Sequence, residues 1–321
     1  MPAVSVIIVN WNSGPWLARV CEGLRQQTIR DFEVLIVDNA SQDDSIALAL
    51  PLPPRTHLVQ QACNLGFAAG NNLAAKLAKG TWLAMLNPDA IPAPDWLEKM
   101  LAASAANPAF TLFGSRQLMA QCPEYLDGIG DAYHTCGLAW RMGHGAQALA
   151  VEAASREIFS PCAAAALYRR RQFLSVGGFD ESYFCYLEDV DLGFRLRLRG
   201  YRALYVHDAV VYHAGSASTG RHSDFTIYHS QRNLVWTFFK NMPTWLLLAY
   251  LPAHLALNCF AVIHFALKGQ GGVVLKAKLD ALRGLPGILQ ARRVNQASRR
   301  ISLSGLLKLM QRGWPKRYQI R

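Results

Sequence analysis

Residues 81–90 read TWLAMLNPDA, an apolar run that ends on an amide, a proline and a carboxylate. The apolar part predicts a buried strand, whereas Asn87 and Asp89 are poor strand formers and Pro88 cannot donate a ladder hydrogen bond. The chain therefore leaves its sheet at this point. Asp89 either caps the turn that follows or holds a ligand there.

The same kind of run recurs towards the N-terminus, where three more strand-like stretches occupy residues 4–9, 33–39 and 56–61. Helical stretches separate them, and the first helix is predicted to open at Ser13 with Pro15 in its first turn. Strands that alternate with helices predict an α/β fold, a mostly parallel open sheet flanked by helices.

Polar side chains follow each of these four strands. They are Asn10, Asn12, Asp38, Asn39, Asn64, Asn87 and Asp89. Open α/β sheets bind ligands outside the carboxyl ends of their strands, although Asn and Asp are also common turn residues. The first loop lacks the G-x-G-x-x-G pattern of a dinucleotide site, so we expect a divalent cation, Mg²⁺ or Mn²⁺, to meet phosphate at Asp89.

A second motif-rich stretch, residues 177–218, reads GGFDESYFCYLEDVDLGFRLRLRGYRALYVHDAVVYHAGSAS. It predicts a helix with Glu188 and Asp189 in its first turn. These acids either complement the helix dipole, with Asp191 and Arg195 as a surface ion pair, or place a general base at the rim of a cleft. His213 ends a strand-like run and is either a structural histidine or a metal ligand.

The charge of the chain is concentrated near its C-terminus. The net charge is +11, and residues 268–321 hold thirteen Lys and Arg against one acid, while residues 242–267 before them carry no charge. An apolar segment with a basic flank is typical of a membrane surface rather than a nucleic-acid partner. The segment is long enough for a single span, but a monotopic arrangement or a core helix also fits it.

Two further features narrow the class of protein. Seven scattered cysteines without a CxxC pair disfavour a disulfide framework and a thiolate zinc site, and they favour a reducing compartment. The first residues, MPAVSVIIVNWN, run straight into a strand, so we expect no secretory signal. Residues 110–160 show no clear periodicity.

Six motifs occur in an order that resembles the inverting family 2 nucleotide-sugar glycosyltransferases with the GT-A fold, and within them the rhamnosyltransferase-like branch. The motifs are VSVIIVNWN, EVLIVDNASQDDS, NLGFAAGNN, LNPDA, GGFDESYFCYLEDVDLGFRLRLRGY and VVYHAGSAS. The resemblance covers about residues 3–220. It implies a GT-A sheet that binds a nucleotide-sugar donor.

The resemblance also implies roles on the donor side. Asp38 matches the acid that recognises the nucleobase, with Asn10 beside it, while Gly66 and Asn71 match the loop near the nucleotide. NPD stands in the place of the family's DXD motif, so Asp89 matches the carboxylate that meets metal and diphosphate. Asn87 replaces the first acid of that motif, which removes one charge from the metal site.

On the acceptor side, Asp189 matches the catalytic base and Glu188 is a candidate acceptor contact. His213 matches a histidine that completes the metal shell in related enzymes. The implied reaction moves one sugar, with L-rhamnose as the first candidate, onto a lipid-linked or polysaccharide acceptor with inversion at the anomeric carbon. We expect the enzyme at the cytoplasmic face of the cell membrane, held near anionic lipid, as a peripheral, monotopic or single-span protein.

The predicted organisation is a GT-A domain over residues 1–235, a membrane-associating segment over 236–268 and a basic tail over 269–321. Within the domain, about 1–110 form the nucleotide-sugar half and 111–235 the acceptor half. A processive polysaccharide synthase is an alternative, but SQRNLVW at 230–236 lacks the Q-x-x-R-W spacing. A non-catalytic scaffold is another alternative, which the retained acids disfavour.

Overall fold

The computed structural model describes residues 2–151, 153–215 and 223–313. The strands are β1 (Val4–Asn10), β2 (Phe32–Asp38), β3 (Thr56–Gln60), β4 (Trp82–Leu86), β5 (Ala90–Pro92), β6 (Leu112–Met119), β7 (Leu126–Gly128), β8 (Asp131–Tyr133), β9 (Ala139–Arg141), β10 (Arg156–Ile158), β11 (Ala165–Arg169) and β12 (Ala203–His213). The helices are α1 (Trp16–Arg25), α2 (Ser45–Leu48), α3 (Gly66–Leu77), α4 (Trp96–Ala106), α5 (Arg170–Ser175), α6 (Glu188–Leu198), α7 (Asp224–Asn241), α8 (Thr244–Ala266), α9 (Gly271–Ala297) and α10 (Leu303–Leu309). Single 3₁₀ turns occupy Ala148–Ala150 and Glu181–Tyr183.

One large sheet organises the molecule, in the order β10-β12-β6-β11-β4-β1-β2-β3. The strands β4, β1, β2 and β3 are parallel, as the alternation of strands and helices predicts. Beyond β4 the sheet is mixed, because β11 runs antiparallel to both β4 and β6. The predicted α/β fold is confirmed, and the antiparallel strand comes from the second half of the chain.

The central strands are apolar because helices cover both faces of the sheet. Every residue of β1, β2 and β4 is buried, while the edge strand β3 is partly exposed. On one face the strands pack against buried residues of α1 and α4, among them Leu24 and Trp96. On the other they pack against α3, α5 and α6, through residues such as Ala74 and Leu192. Continuous apolar runs are typical of strands buried on both faces.

The start of the first helix differs from the sequence prediction. The helix begins at Trp16 with Pro15 as its N-cap residue, and Ser13 is not its cap. The Ser13 hydroxyl instead donates a hydrogen bond to the side-chain oxygen of Asn10. A polar partner at the end of β1 therefore uses the side chain that would otherwise cap the helix.

The C-terminal helices form a layer against the acceptor half. The predicted boundary at residue 235 falls inside α7, and α9 packs along α7, where the indole of Trp236 donates to the carbonyl of Ala281 over 2.9 Å. Leu306 and Met310, in and just after α10, are buried against the domain. The predicted basic tail is thus part of the folded body up to residue 313, and residues 314–321 lie outside the described residues.

Helix α8 coincides with the uncharged segment predicted to meet a membrane. By length and composition it could cross a bilayer, and it is the one helix in the described ranges of which this holds. Only Leu246 and His254 of its residues are buried. Most of its length therefore presents apolar side chains to the outside, including Trp245, Leu248, Leu255, Phe260 and Ile263.

Candidate active site

The carboxyl ends of β1 and β2 bring the first pair of predicted residues together. Asn10 and Asp38 are direct neighbours in the parallel ladder, and the amide of Asn10 donates to the Asp38 carboxylate over 2.9 Å. The same amide lies 3.0 Å from the Ser41 hydroxyl and 2.9 Å from the Ser45 hydroxyl. Both predicted residues are buried, and their orientation is fixed by this network.

Gly66 lies beside this pair, whereas Asn71 does not lie in a loop as predicted. The Gly66 carbonyl accepts a hydrogen bond from Asn39 at the end of β2, and its φ of +81° suits glycine. A Cβ at this position would stand 2.6 Å from the Phe184 ring. Asn71 belongs to α3, and its amide donates to the Phe67 carbonyl one turn earlier, so its side chain is used inside the helix.

The turn that ends β4, Asn87 to Asp89, is held by hydrogen bonds to the ends of two other strands. The backbone N–H of Asn87 donates to Ala164, and the Asp89 carbonyl accepts from Ala214 over 3.0 Å. The strand β5 that follows the turn pairs with β12, and this register places Ala90 opposite His213. As a result, His213 Nε2 lies 3.3 Å from Asp89 Oδ1, which brings the two predicted metal ligands together.

The residue that holds His213 is Asp127, which no sequence motif indicates. Asp127 of β7 lies 2.8 Å from His213 Nδ1 and accepts a 2.7 Å hydrogen bond from Arg141. Burial would lower the pKa of His213, but the carboxylates of Asp89 and Asp127 outweigh it and raise that pKa to about 9. Burial would raise the pKa of Asp127, yet Arg141, His144 and His213 hold it well below its usual range.

Asp189 occupies the first turn of α6, as predicted. Its two carboxylate oxygens accept hydrogen bonds from the backbone N–H groups of Ala163, over 3.0 Å, and Val190, over 2.8 Å. One carboxylate oxygen of Asp189 lies within 4.8 Å of Asp131 and of the Cys162 sulfur. The predicted base therefore has a fixed orientation beside a second carboxyl group that the sequence analysis did not identify.

By distance, Asp131, Cys162 and Asp189 could hold a metal ion, but their chemistry suits it poorly. Burial raises the pKa of the Cys162 thiol well above its usual value, so the sulfur stays protonated. Burial, reinforced by the charge of Asp189, also raises the pKa of Asp131. A neutral thiol and a carboxyl group that tends to keep its proton are weak ligands.

Arg141 links the two parts of the site. Its guanidinium donates to Asp127 and to the Cys162 sulfur, the latter over 2.5 Å, and its Nε lies 3.9 Å from Asp131. Gly128 makes room for this side chain, since a Cβ there would stand 2.2 Å from Arg141 Cδ. The only sequence signal for this region was its pair of acids, Asp127 and Asp131, set among glycines without strand or helix periodicity.

Glu188, the predicted acceptor contact, is buried. Its Oε2 and the Oδ2 of Asp131 have no hydrogen-bond partner in the part of the chain that the structure describes. Burial, together with the charge of Asp189, raises the pKa of Glu188 well above its usual value. Two carboxyl groups with unsatisfied oxygens thus flank Asp189.

Two further predictions concern an ion pair in α6 and the motif at the end of β12. Asp191 and Arg195 do form an i,i+4 ion pair over 2.7 Å, but the pair is buried rather than on the surface, because α7 packs over it. The motif VVYHAGSAS ends the predicted site, and its residues 216–218 lie outside the described residues.

The chain has relatives of known class. Residues 5–171 match the family model described as "Glycosyl transferase family 2". The N-acetylglucosaminyl-diphospho-decaprenol L-rhamnosyltransferase of Mycobacterium tuberculosis is 30% identical over 239 residues, which are 67% of this chain and 77% of that protein. The O-antigen biosynthesis protein RfbC of Myxococcus xanthus is 30% identical over 228 residues, 68% of this chain and 18% of that protein.

Solved structures share the fold. S. aureus TarS in complex with UDP-GlcNAc matches with a TM-score of 0.59 at 18% identity, over 92% of this chain and 88% of that chain. The mannosyltransferase PcManGT from Pyrobaculum calidifontis, in complex with GDP-Man and Mn²⁺, matches with a TM-score of 0.54 at 19% identity, over 92% and 86%. The sheet described above is thus the GT-A sheet, and the chain belongs to glycosyl transferase family 2 as a nucleotide-sugar-dependent glycosyltransferase.

Proposed function

We propose that this glycosyltransferase moves a single sugar, L-rhamnose in the first instance, from a nucleoside-diphosphate donor to a hydroxyl group of a lipid-linked acceptor, with inversion. The choice of sugar and acceptor is supported by the printed activity of the mycobacterial relative, an L-rhamnosyltransferase acting on N-acetylglucosaminyl-diphospho-decaprenol. The observation that carries the proposal is that Arg141 contacts both Asp127, which holds His213 beside Asp89, and Cys162, which lies beside Asp189.

The donor side of the proposal begins at the carboxyl ends of β1 and β2. Asp38, oriented by Asn10, would accept hydrogen bonds from the nucleobase, and Gly66, whose carbonyl is bonded to Asn39 at the end of β2, would border the nucleotide. Asn71 is less suited to this role, because its amide is already used within α3. Open α/β sheets bind nucleotides at this edge.

The residues of the NPD turn fit a divalent cation, Mg²⁺ or Mn²⁺. Asn87 Oδ1 is buried and has no hydrogen-bond partner within the described ranges, and His213 Nε2 lies 3.3 Å from Asp89 Oδ1. Asp89 and His213 would hold the ion, with Asn87 as a neutral oxygen donor, and His213 would release its Nε2 proton when the cation binds. When bound, the cation supplies positive charge against the leaving diphosphate. Asp127 fixes the ring of His213 through Nδ1, a common arrangement for a ligating imidazole.

Asp189 is the base of the proposed reaction. It would take the proton of the acceptor hydroxyl as the oxygen attacks the anomeric carbon from the face opposite the diphosphate. The C–O bond to the acceptor forms as the bond to the diphosphate oxygen breaks, so the configuration inverts. Two backbone N–H groups hold the carboxylate in one orientation, which a base aimed at a single hydroxyl requires.

The exposed residues of the C-terminal helices support a location of the enzyme at a membrane. The exposed apolar length of α8, beside the basic helix α9, supports a position against anionic lipid. All seven cysteines are free, and Cys63, Cys122 and Cys259 are exposed, which supports the reducing, cytoplasmic face of the membrane.

The first test is thermal stabilisation by deoxythymidine, uridine and guanosine diphosphate sugars, each with and without Mn²⁺. A ligand that binds the native state raises the melting temperature by mass action. We expect one base to be preferred, a larger shift with Mn²⁺, and loss of the metal-dependent part in Asp89→Ala but not in the matched surface variant Asp208→Ala. A folded protein that no donor stabilises would contradict the proposal and favour a scaffold.

A further inference from the structure

A cavity lined by four arginines lies at the opposite end of α6 from Asp189. Its volume is about 590 Å³, and its arginines are Arg171 of α5, Arg199 after α6, and Arg299 and Arg300 after α9. Gln172, Ser175, Tyr201, Ala297 and Ser298 complete the lining. None of these residues belongs to the proposed donor site or to the NPD turn, and none is the proposed base.

The four guanidinium groups of this cavity lack acidic partners. No carboxylate in the described parts of the chain lies within 4.0 Å of any of them, whereas Arg195 pairs with Asp191, and Arg197 and Arg202 pair with Glu157. Within the described residues, the side chain of Arg199 donates one hydrogen bond to the Ser175 carbonyl. That of Arg299 donates one to the Ile301 carbonyl, and both bonds are 2.8 Å long. Each guanidinium carries five N–H donors, so most remain available.

The end of α6 accounts for only part of this cluster. The backbone N–H of Arg300 donates to the carbonyl of Leu198, and a helix C-terminus stabilises cations placed near it. Arg171, in contrast, lies in the first turn of α5, where the helix dipole disfavours a cation. Four like charges around one cavity repel each other, and an anion that accepts bidentate hydrogen bonds would relieve that repulsion.

Helix α9 indicates where the anion comes from. Exposed leucines recur on one face at Leu275, Leu279, Leu282 and Leu289, and the same three- and four-residue steps reach Ala297, which lines the cavity. A helix lying in a lipid headgroup layer would bury this leucine stripe in the acyl boundary. Its C-terminal end would then bring the arginines to the level of the phosphates.

We propose that the four-arginine cavity binds the phosphate headgroup of an anionic lipid. The cavity fixes the rotation of α9 on the membrane, and with it the direction in which the active site faces. This inference rests on the proposed membrane association, but its test needs no donor sugar. Lost turnover with intact vesicle binding would count against the proposed function alone.

The test measures co-sedimentation of the full chain with vesicles of phosphatidylglycerol and phosphatidylcholine, compared with phosphatidylcholine alone, in 0.1 M NaCl. The double variant Arg171→Gln/Arg300→Gln should bind the anionic vesicles about 30-fold more weakly, since each membrane-facing cation contributes about 1 kcal/mol. The matched control Arg30→Gln/Arg55→Gln removes two exposed arginines of the nucleotide half and should bind as the wild type does. Equal losses in both variants would overturn the proposal.

A charge-conserving variant separates a shaped site from general attraction. Arg171→Lys/Arg300→Lys keeps both charges but loses the planar fork that grips phosphate, so we expect about a five-fold loss of vesicle binding. Wild-type binding by this variant would overturn the site. Circular dichroism melting of each variant checks that it is folded.

A soluble probe then identifies the source of the phosphate. Dihexanoyl phosphatidylglycerol, kept below its micelle concentration, should raise the melting temperature of the wild type and leave the double glutamine variant unchanged. No shift of the wild type would overturn binding in the cavity. An equal shift with inorganic phosphate at the same concentration would overturn the assignment to a lipid.

Discussion

Helix α6 places two buried carboxyl groups, Glu188 and Asp191, about one turn apart, and their surroundings differ. Asp191 accepts hydrogen bonds from Arg195, Lys240 and Asn241, all between 2.7 and 2.9 Å. Glu188, one turn earlier, and the nearby Asp131 each keep an oxygen without a partner in the described residues. Burial would raise the pKa of all three, but Arg195 and Lys240 lower that of Asp191 instead.

The difference separates a cluster that holds the domain together from the carboxyl groups that surround the proposed base. The cluster around Asp191 consists of Asp191, Arg195, Lys240 and Asp180. Each of its charges has a partner, and it ties α6 to α7. The two carboxyl groups that flank Asp189, those of Glu188 and Asp131, each have an oxygen without a hydrogen-bond partner in the described residues. Incompletely paired carboxyl groups with shifted pKa values are typical of catalytic sites. The comparison predicts that changes in one set alter activity while changes in the other alter stability.

The largest effect is expected from Asp189→Asn. Removing a general base costs a factor of about 10² to 10⁴ in kcat, while the free energy of unfolding should change by less than about 1 kcal/mol, because the amide oxygen can still accept a backbone hydrogen bond. Single-turnover transfer and urea unfolding measure the two quantities. Near-normal transfer by this variant would show that the base has been assigned wrongly.

The matching change on the other side is Lys240→Met. Lys240 contacts both Asp180, over 2.5 Å, and Asp191, over 2.9 Å, and it is buried. Leaving these carboxylates without their cation should lower the free energy of unfolding by about 3–5 kcal/mol. Urea unfolding checks this against Lys99→Met, an exposed lysine of α4 that should change stability by less than about 0.5 kcal/mol.

A smaller effect, on metal affinity, is expected from Asp127→Asn, because Asp127 orients His213 beside the NPD turn. Loss of the residue that orients a ligating imidazole weakens metal affinity by about 10- to 100-fold. Titration with Mn²⁺, followed by electron paramagnetic resonance, measures this without turnover. An affinity within two-fold of the wild type would remove Asp127 from the site, and Asp208→Asn provides an exposed control.

The smallest effect concerns pH and Asp180. Burial would raise the pKa of Asp180, but Lys240 outweighs this and lowers it to about 2, from its usual value of 3.8. A depressed carboxyl pKa stabilises the fold above the unfolded value and loses that contribution as pH falls through the folded value. Asp180→Asn should therefore cost about 2 kcal/mol at pH 7 and progressively less below pH 4. A cost that does not change between pH 7 and pH 3 would contradict the assignment.

Local sequence patterns were sufficient to predict most of the structure of the nucleotide half. The strands β1 to β4 are short apolar runs with polar ends, and parallel neighbours bring those ends together, so the contact of Asn10 with Asp38 follows from the sequence. Glu188 and Asp189 were placed in the first turn of α6 by the same means. Asn71 was placed wrongly, because the motif continues from a loop into α3 without a break in composition.

The acceptor half could not be predicted in this way. Asp127, Asp131 and Arg141 lie in strands of three residues each, too short for a hydrophobic period to appear. Their positions depend on contacts far along the chain, such as that of Asp127 with His213, 86 residues away. The buried state of Asp191 and Arg195 likewise depends on α7, which the helix's own sequence does not reveal.

The shared position of Arg141 has a consequence for how the enzyme tolerates change. One guanidinium supports Asp127 beside the proposed metal ligands and contacts Cys162 beside the proposed base, so the two sides have a residue in common. Substitutions on the two sides will then combine non-additively, since residues in one network show coupling energies of about 0.5–3 kcal/mol. Exchanging the donor half or the acceptor half with a relative's would therefore succeed only if Arg141 and both of its partners were transferred together.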